Sequence, residues 1–201
     1  MIHRQRASKS SRRLFTWTAL ALPALAWAVS LFRQGVDMAE AALNPSGALS
    51  AFLLIFALLA TPLRHVWPQA AVTRWLLRNR RYLGVASFGY ALLHTVFYLI
   101  DAGSMHQIVV DLPRLDIWTA WLSLLIMVPL AVTSSDAAVR RMGPRWKTLQ
   151  RWVYGAALLG FLHALSLNNW EDPREPLVFA APLIALQCWR VFGGRRTRRV
   201  S

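Results

Sequence analysis

Six long apolar runs divide this chain and limit what it can fold into. A helix that crosses a lipid bilayer needs roughly 20 apolar residues, with a range of about 17 to 25. The runs are continuous rather than alternating, which is typical of spanning helices and not of barrel strands. We therefore expect an all-α polytopic membrane protein, a bundle of six transmembrane helices. The predicted spans are 14–32, 48–63, 82–100, 117–133, 152–167 and 177–192.

Composition and charge agree with this interpretation. The chain is 56% hydrophobic and 16% charged, whereas a soluble domain has about 25% charged residues. A net charge of +14 is often a sign of nucleic-acid binding, but here the basic residues form short clusters between apolar runs rather than one polar face. Membrane lipid, and not nucleic acid, is the predicted partner. Cys188 is the only cysteine, so no disulfide forms within one chain.

The basic residues also predict the orientation. Four alternate segments hold five Lys or Arg each, and the three segments between them hold one each, Arg33, Arg114 and Arg174. Lys and Arg are enriched on the cytoplasmic side of membrane proteins. Both termini are therefore predicted to be cytoplasmic, as basic tails at 1–13 and 193–201 that flank a transmembrane domain at 14–192. Every acidic residue except Asp136 falls on the opposite side.

The first run follows Arg12 and Arg13 and resembles an export signal. The run extends over 14–32, and the apolar part of a signal is shorter, at about 7 to 15 residues. We therefore expect this helix to be retained. Pro23, Pro129 and Pro182 lie inside runs, where we expect them to kink the helices.

The connecting segments are short. Even the longest of them, 64–81, is too short for a separate nucleotide-binding or substrate domain with its own core. Any chemistry must take place inside the bundle or on a partner.

Two histidines are the candidate site. His94 lies six residues from the end of its span and His163 four residues from the end of its span, or about 9 Å and about 6 Å along a helix. Both of these span ends are predicted to lie on the non-cytoplasmic side of the membrane. We therefore expect the two imidazoles to lie at similar depth on different helices. That arrangement suits the two axial positions of a b-type haem. The predicted aromatic neighbours of the haem are Phe88, Tyr90, Phe97, Tyr98 and Phe161.

Other interpretations of the histidines remain open. Each one can simply form a hydrogen bond between helices, worth about 0.6 kcal/mol on average. A zinc site is less well supported because it needs three or four ligands. His106, in an external loop, is a remote alternative ligand, while His3 and His65 are expected to be solvated.

The cytoplasmic basic clusters are explained by topology and by contacts with anionic lipids. A functional alternative is that they hold the phosphate of a flavin or dock an acidic reductase. The arginines concerned are Arg80, Arg81, Arg145 and Arg151.

Several short motifs, in this order and spacing, resemble one known family. They read TPLR at 61–64, RRYLG at 80–84, YALLH at 90–94, LAVTS at 130–134, RMGPRW at 141–146 and DPREPLVFA at 172–180. The chain resembles the MsrQ family, the haem-binding membrane subunits of the bacterial periplasmic protein-methionine-sulfoxide reductase system, within the ferric-reductase-like transmembrane group.

The resemblance implies a function. It implies an inner-membrane electron-transfer subunit, rather than the catalytic subunit, that contains haem b and FMN. Electrons would come from quinol or a cytoplasmic flavin reductase. They would pass to a periplasmic molybdopterin subunit that reduces oxidised methionines in envelope proteins. The resemblance carries His94 and His163 over as haem ligands.

The chain departs from the family at Gln150. At the start of the fifth span the family usually has Leu-His-Arg, where this chain has Leu149-Gln150-Arg151. This tripeptide precedes His163 in the sequence. In the wider group that upstream histidine serves a second haem nearer the cytoplasm, and a glutamine is a poor iron ligand. We therefore expect one haem and a flavin rather than two haems.

Two hypotheses of other classes compete with electron transfer. A small transporter or channel would need polar residues along a path, and usually repeats or broken helices near the midplane. A haem-free assembly or scaffold protein would use the histidines only as hydrogen-bonding groups between helices.

Overall fold

The computed structural model describes residues 2–167 and 174–196, and in these two ranges the regular structure is entirely helical. The part of the predicted C-terminal tail after 196, and residues 168–173 with the start of the DPREPLVFA motif, lie outside the described residues. The helices are α1 (Ile2–Gln34), α2 (Val36–Val66), α3 (Ala71–Asp101), α4 (Met105–Asp111), α5 (Leu115–Val132), α6 (Asp136–Met142), α7 (Pro144–Gln150), α8 (Val153–Ser166) and α9 (Arg174–Arg196).

The all-α prediction is confirmed over the described part of the chain. Within it, three helices are long and apolar enough to cross a membrane, Asp37–Val66, Ala71–Asp101 and Leu115–Val132. The first, fifth and sixth predicted spans are also helical but are not among these three. Pro176–Trp189 is a shorter apolar segment, and the 14 residues of α8 extend about 21 Å, less than the roughly 30 Å of a bilayer core.

Helices α2 and α3 are longer than the second and third predicted spans that they contain. Helix α2 begins at Val36 rather than at the predicted 48, and α3 begins at Ala71 rather than at the predicted 82. The expected spans followed only the apolar runs. Polar residues such as Arg, Gln and Glu have good helix propensity, so the helices continue beyond the apolar residues.

The short helices α4, α6 and α7 occupy segments predicted only as connections. Ser104 and Ser135 cap α4 and α6, because each hydroxyl accepts a hydrogen bond from a backbone N–H three residues later. Gly143, with φ of 54°, ends α6, and Pro144 begins α7. A glycine adopts this left-handed conformation without strain, and a proline is well suited to a first helical position.

Helices α2 and α3 form the most extensive pair. Ala39 and Ala42 of α2 are fully buried with Phe97 of α3, and Ser50 and Ser87 each donate a 2.9 Å hydrogen bond to the other residue's carbonyl. Small residues let membrane helices approach closely and bond across their contact. His94 lies on α3, so the contacts between α2 and α3 also fix the helix that carries this histidine.

Helices α5 and α8 form a second pair, and α3 packs against α5. Ser123 of α5 donates a 2.8 Å hydrogen bond to the carbonyl of Ala156 in α8. Helix α9 packs against α2, where the rings of Phe52 and Phe179 meet edge to face at 4.7 Å. The contact between the two pairs brings α3 beside α5 and α2 beside α8.

Pro23, Pro129 and Pro182 each lie inside a continuous helix, α1, α5 and α9 respectively. The helices therefore continue through all three prolines.

Candidate functional site

His94 of α3 and His163 of α8 face each other across a cleft. Their ring centres are 6.1 Å apart and the ring planes are inclined by 70°. Both side chains are half-buried. The fold thus brings together the two histidines that depth counting selected. The other residues that line the cleft are Thr95, Tyr98, Ile117, Ala120, Trp121 and Leu124.

Both rings are fixed by a hydrogen bond to a backbone carbonyl. The Nδ1 atom of His94 lies 2.8 Å from the carbonyl oxygen of Leu43, and that of His163 lies 2.7 Å from the carbonyl oxygen of Asp116. A carbonyl only accepts, so Nδ1 carries the proton in both neutral rings and Nε2 has a free lone pair. Metal-binding histidines are commonly oriented by such a bond at the other nitrogen.

The separation of the rings fits one metal ion between them. A metal–nitrogen bond of about 2.0 Å, with about 1.2 Å from the nitrogen to the ring centre, gives about 6.4 Å between two axial imidazoles. The observed 6.1 Å is close to this value. Together with the apolar lining and the free Nε2 atoms, this separation of the ring centres leaves room for a haem iron that both histidines would hold. Among the residues described, no group of three or more His, Cys, Asp or Glu forms a metal cluster.

A glycine on α2 makes room for the His94 ring. A Cβ atom added to Gly47 would lie 3.0 Å from both Cε1 and Nδ1 of His94. The neighbouring Ser46 is fully buried; its hydroxyl donates to the carbonyl of Leu43 at 2.8 Å and lies 3.3 Å from His94 Nδ1. Sequence reasoning missed Ser46 and Gly47 because it began the second span at 48.

The residue whose backbone carbonyl accepts from His163, Asp116, forms an ion pair through its side chain. Arg114 donates to both carboxylate oxygens of Asp116, at 3.2 Å and 2.8 Å, and pairs with Asp111 at 3.5 Å. We call these three residues the Arg114 cluster. The Asp116 side chain is only 6% exposed and that of Arg114 is 54% exposed. The hydrogen bond to Asp116 raises the pKa of Arg114, so the guanidinium stays charged.

The aromatic surroundings differ in part from the prediction. Tyr98 lines the cleft, as expected, and Trp121 is an additional lining residue that was not predicted. Tyr90 and Phe97 instead pack against Trp27 of α1, with ring centres 6.0 and 6.4 Å from it. They lie on the face of α3 that contacts α1, which depth alone did not reveal.

Gln150 has a structural role. Its side-chain Nε2 donates to the carbonyl of Leu130 at 3.1 Å and lies 3.4 Å from Oγ1 of Thr133. The indole of Trp146 donates to the carbonyl of Thr133 at 3.0 Å. The last carbonyls of a helix lack partners within it, so Gln150 and Trp146 stabilise the end of α5.

The four arginines predicted to contact a flavin phosphate or a reductase differ in their surroundings. Arg81 forms a 2.5 Å ion pair with Asp136, which joins the start of α6 to α3. Arg80, Arg145 and Arg151 are exposed.

The other histidines do not line the cleft. His65 and His106 are exposed, at the end of α2 and on α4 respectively. The side chain of His3 is outside the described part of the chain.

Comparison with known proteins identifies the family of this chain. Residues 46–161 match the family described as "Ferric reductase like transmembrane component". The chain is 35% identical over 161 residues to the "Protein-methionine-sulfoxide reductase heme-binding subunit MsrQ" of Brucella anthropi, which covers 78% of this chain and 70% of that protein. This chain belongs to the MsrQ family.

Other members of the family are similar over a slightly shorter region. The MsrQ proteins of Brucella ovis and Brucella canis are 39% identical over 142 residues, or 69% of this chain. The chain spans 61% of the length of these two relatives. Their shared name describes those relatives as haem-binding subunits of a protein-methionine-sulfoxide reductase.

The role of Gln150 can be tested by truncation. Gln150→Ala should lower stability by about 1 kcal/mol, the usual net value of a lost hydrogen bond. It should leave haem content unchanged. Thermal unfolding in detergent and haem quantification are the measurements, with the exposed Gln69→Ala as the control. A loss of half the haem in Gln150→Ala would show that this residue supports a cofactor.

Proposed function

We propose that this protein holds one b-type haem between His94 and His163 and transfers electrons through the membrane. The observation that carries the proposal is the matched pair of rings, each with Nδ1 bonded to a carbonyl and Nε2 free, 6.1 Å apart. Family membership supports the same cofactor.

The chain's own residues bind and orient the ligands. The carbonyls of Leu43 and Asp116 fix the tautomer and rotation of each imidazole and increase the basicity of Nε2. Ile117, Ala120 and Leu124 form apolar walls that limit the access of water. Haem, when bound, supplies the one-electron chemistry, and its potential depends on these hydrogen bonds and on burial.

Membership of the MsrQ family supports a proposal for the electron donor and acceptor. We propose that electrons come from quinol or a cytoplasmic flavin reductase and pass through FMN to the haem. The acceptor is a periplasmic molybdopterin-containing methionine-sulfoxide reductase that repairs envelope proteins. Arg80, Arg81, Arg145 and Arg151 are the candidate contacts for the flavin phosphate or the reductase. The bonds made by Gln150 to the end of α5 support one haem rather than two.

We further propose six spans in the bacterial inner membrane with both termini cytoplasmic. The ion pair between Arg81, in the first part of α3, and Asp136, after α5, supports a common side for these two segments. The short α8 would cross with the help of interfacial residues at its ends.

Reporter fusions test the topology. Alkaline phosphatase fused after Gly103 should be active, because that segment is predicted to be periplasmic, and the same enzyme fused after Gly143 should be inactive. A fluorescent protein at the C-terminus should fluoresce. An active fusion after Gly143 would contradict the proposed orientation, and a dark C-terminal fusion would contradict the even number of spans.

Histidine variants test the haem ligands. Purified protein should contain about one haem per chain, with sharp bands after reduction by dithionite. His94→Ala and His163→Ala should each lose the bound haem, because each removes one of two axial ligands. His106→Ala, an exposed histidine on α4, should retain it. Full haem retention in either ligand variant would disprove that ligand. A colourless wild-type protein that takes up no added haem would favour a transporter or a scaffold.

The space under His94 provides a finer test. Gly47→Ala should displace the ring, because the new Cβ would lie 3.0 Å from two of its atoms, and we expect reduced haem content or an altered Soret band. Gly89→Ala is the matched control, since a Cβ there meets no atom within 4 Å. Identical spectra for the two variants would show that His94 does not need this space.

A further inference from the structure

The cleft is connected to the Arg114 cluster in two ways. The imidazole of His163 donates a hydrogen bond to the backbone carbonyl of Asp116. The carboxylate of the same residue accepts a hydrogen bond from Arg114. The hydroxyl of Tyr98, which lines the cleft, donates to Asp111 at 3.3 Å. Two residues of the Arg114 cluster, Asp111 and Asp116, therefore contact groups that face the site, and Arg114 contacts both of these residues.

The two histidines differ in this respect. The carbonyl of Leu43, the acceptor of His94, also accepts a hydrogen bond from the neutral hydroxyl of Ser46, and the carbonyl of Asp116 accepts one from the neutral hydroxyl of Thr119 at 3.1 Å. The side chain of Leu43 carries no charge. The acceptor of His163 belongs to a residue whose carboxylate is 6% exposed. A buried carboxylate needs a cation close by, because the loss of hydration is costly. Arg114, which donates to both oxygens, provides that cation.

We propose that Arg114 is a positioning residue that sets the reduction potential of the group bound between His94 and His163. It acts by neutralising Asp116 and by holding the Asp116 carbonyl against His163. The inference rests on the proposed function, and it adds a residue that touches neither the cofactor nor the ligand rings.

The direction of the effect follows from electrostatics. Asp111 and Asp116 carry two negative charges and Arg114 one positive charge, so the cluster has a net charge of −1. Removal of the guanidinium leaves −2 beside the site. Reduction of ferric haem adds an electron, which extra negative charge disfavours, and the effect is strong where water is scarce. Loss of Arg114 should therefore lower the potential.

The experiment is a spectroelectrochemical titration of the full-length, haem-loaded protein. Arg114→Gln should raise the ratio of oxidised to reduced haem at a fixed ambient potential at least about threefold, or about 28 mV at 59 mV per tenfold change. Arg114→Lys should restore part of the difference because it keeps the charge. The double variant Arg114→Gln/Asp116→Asn should return toward wild type, since it removes one charge of each sign and keeps the Asp116 carbonyl.

The control is Arg33→Gln, an exposed arginine at the end of α1 that forms no ion pair within the described ranges. Its potential should not change. An unchanged potential in haem-loaded Arg114→Gln, or an equal shift in Arg33→Gln, overturns the inference while the proposed function stands. If Arg114→Gln loses its haem, the double variant decides: recovered haem supports the charge argument, and no recovery overturns it. A wild-type protein without haem overturns the proposed function and this inference with it.

Discussion

Two hydrogen bonds from histidine Nδ1 atoms to backbone carbonyls of neighbouring helices constrain how the helices around the site must pack. Each bond selects one tautomer and one ring direction, and so leaves Nε2 free on both sides of the cleft. The acceptors lie on other helices than the donors, since Leu43 is in α2 and Asp116 is in α5. The site therefore exists only when α2 holds α3 and α5 holds α8 at a fixed distance.

The two helix pairs meet this requirement with small residues. Ala39 and Ala42 let α2 approach Phe97 of α3, and Gly47 leaves space for the His94 ring. On the other side, Ser123 bonds to the backbone of α8. In lipid, packing and hydrogen bonds between helices replace the hydrophobic effect as the main cause of association. The same contacts that hold each pair together therefore also position its histidine.

The sequence predicted which two histidines meet better than it predicted the residues that surround them. Counting residues from the span ends selected His94 and His163, because helical rise is nearly constant, and the fold brings these two rings within 6.1 Å of each other. Gly47 was missed because the segment around it is not apolar, so the apolar run that defined the second span starts after it. Tyr90 and Phe97 were assigned to the cofactor by depth, but they contact Trp27 of α1. The position of a residue along its helix can be counted from the sequence. The neighbouring helix that its side chain faces depends on how the helices pack together.

The basic residues separate into two roles that their number alone does not distinguish. Most arginines of the predicted cytoplasmic segments whose side chains the structure describes are exposed, for example Arg80, Arg145 and Arg151, as expected for residues that set topology and contact lipid. Arg114 lies in a segment with no other Lys or Arg and forms two ion pairs with Asp111 and Asp116. Because cations are scarce there, the charge beside His163 depends on this single side chain. In the proposed orientation, the rule that keeps basic residues away from this side of the membrane therefore also leaves the environment of His163 sensitive to one residue.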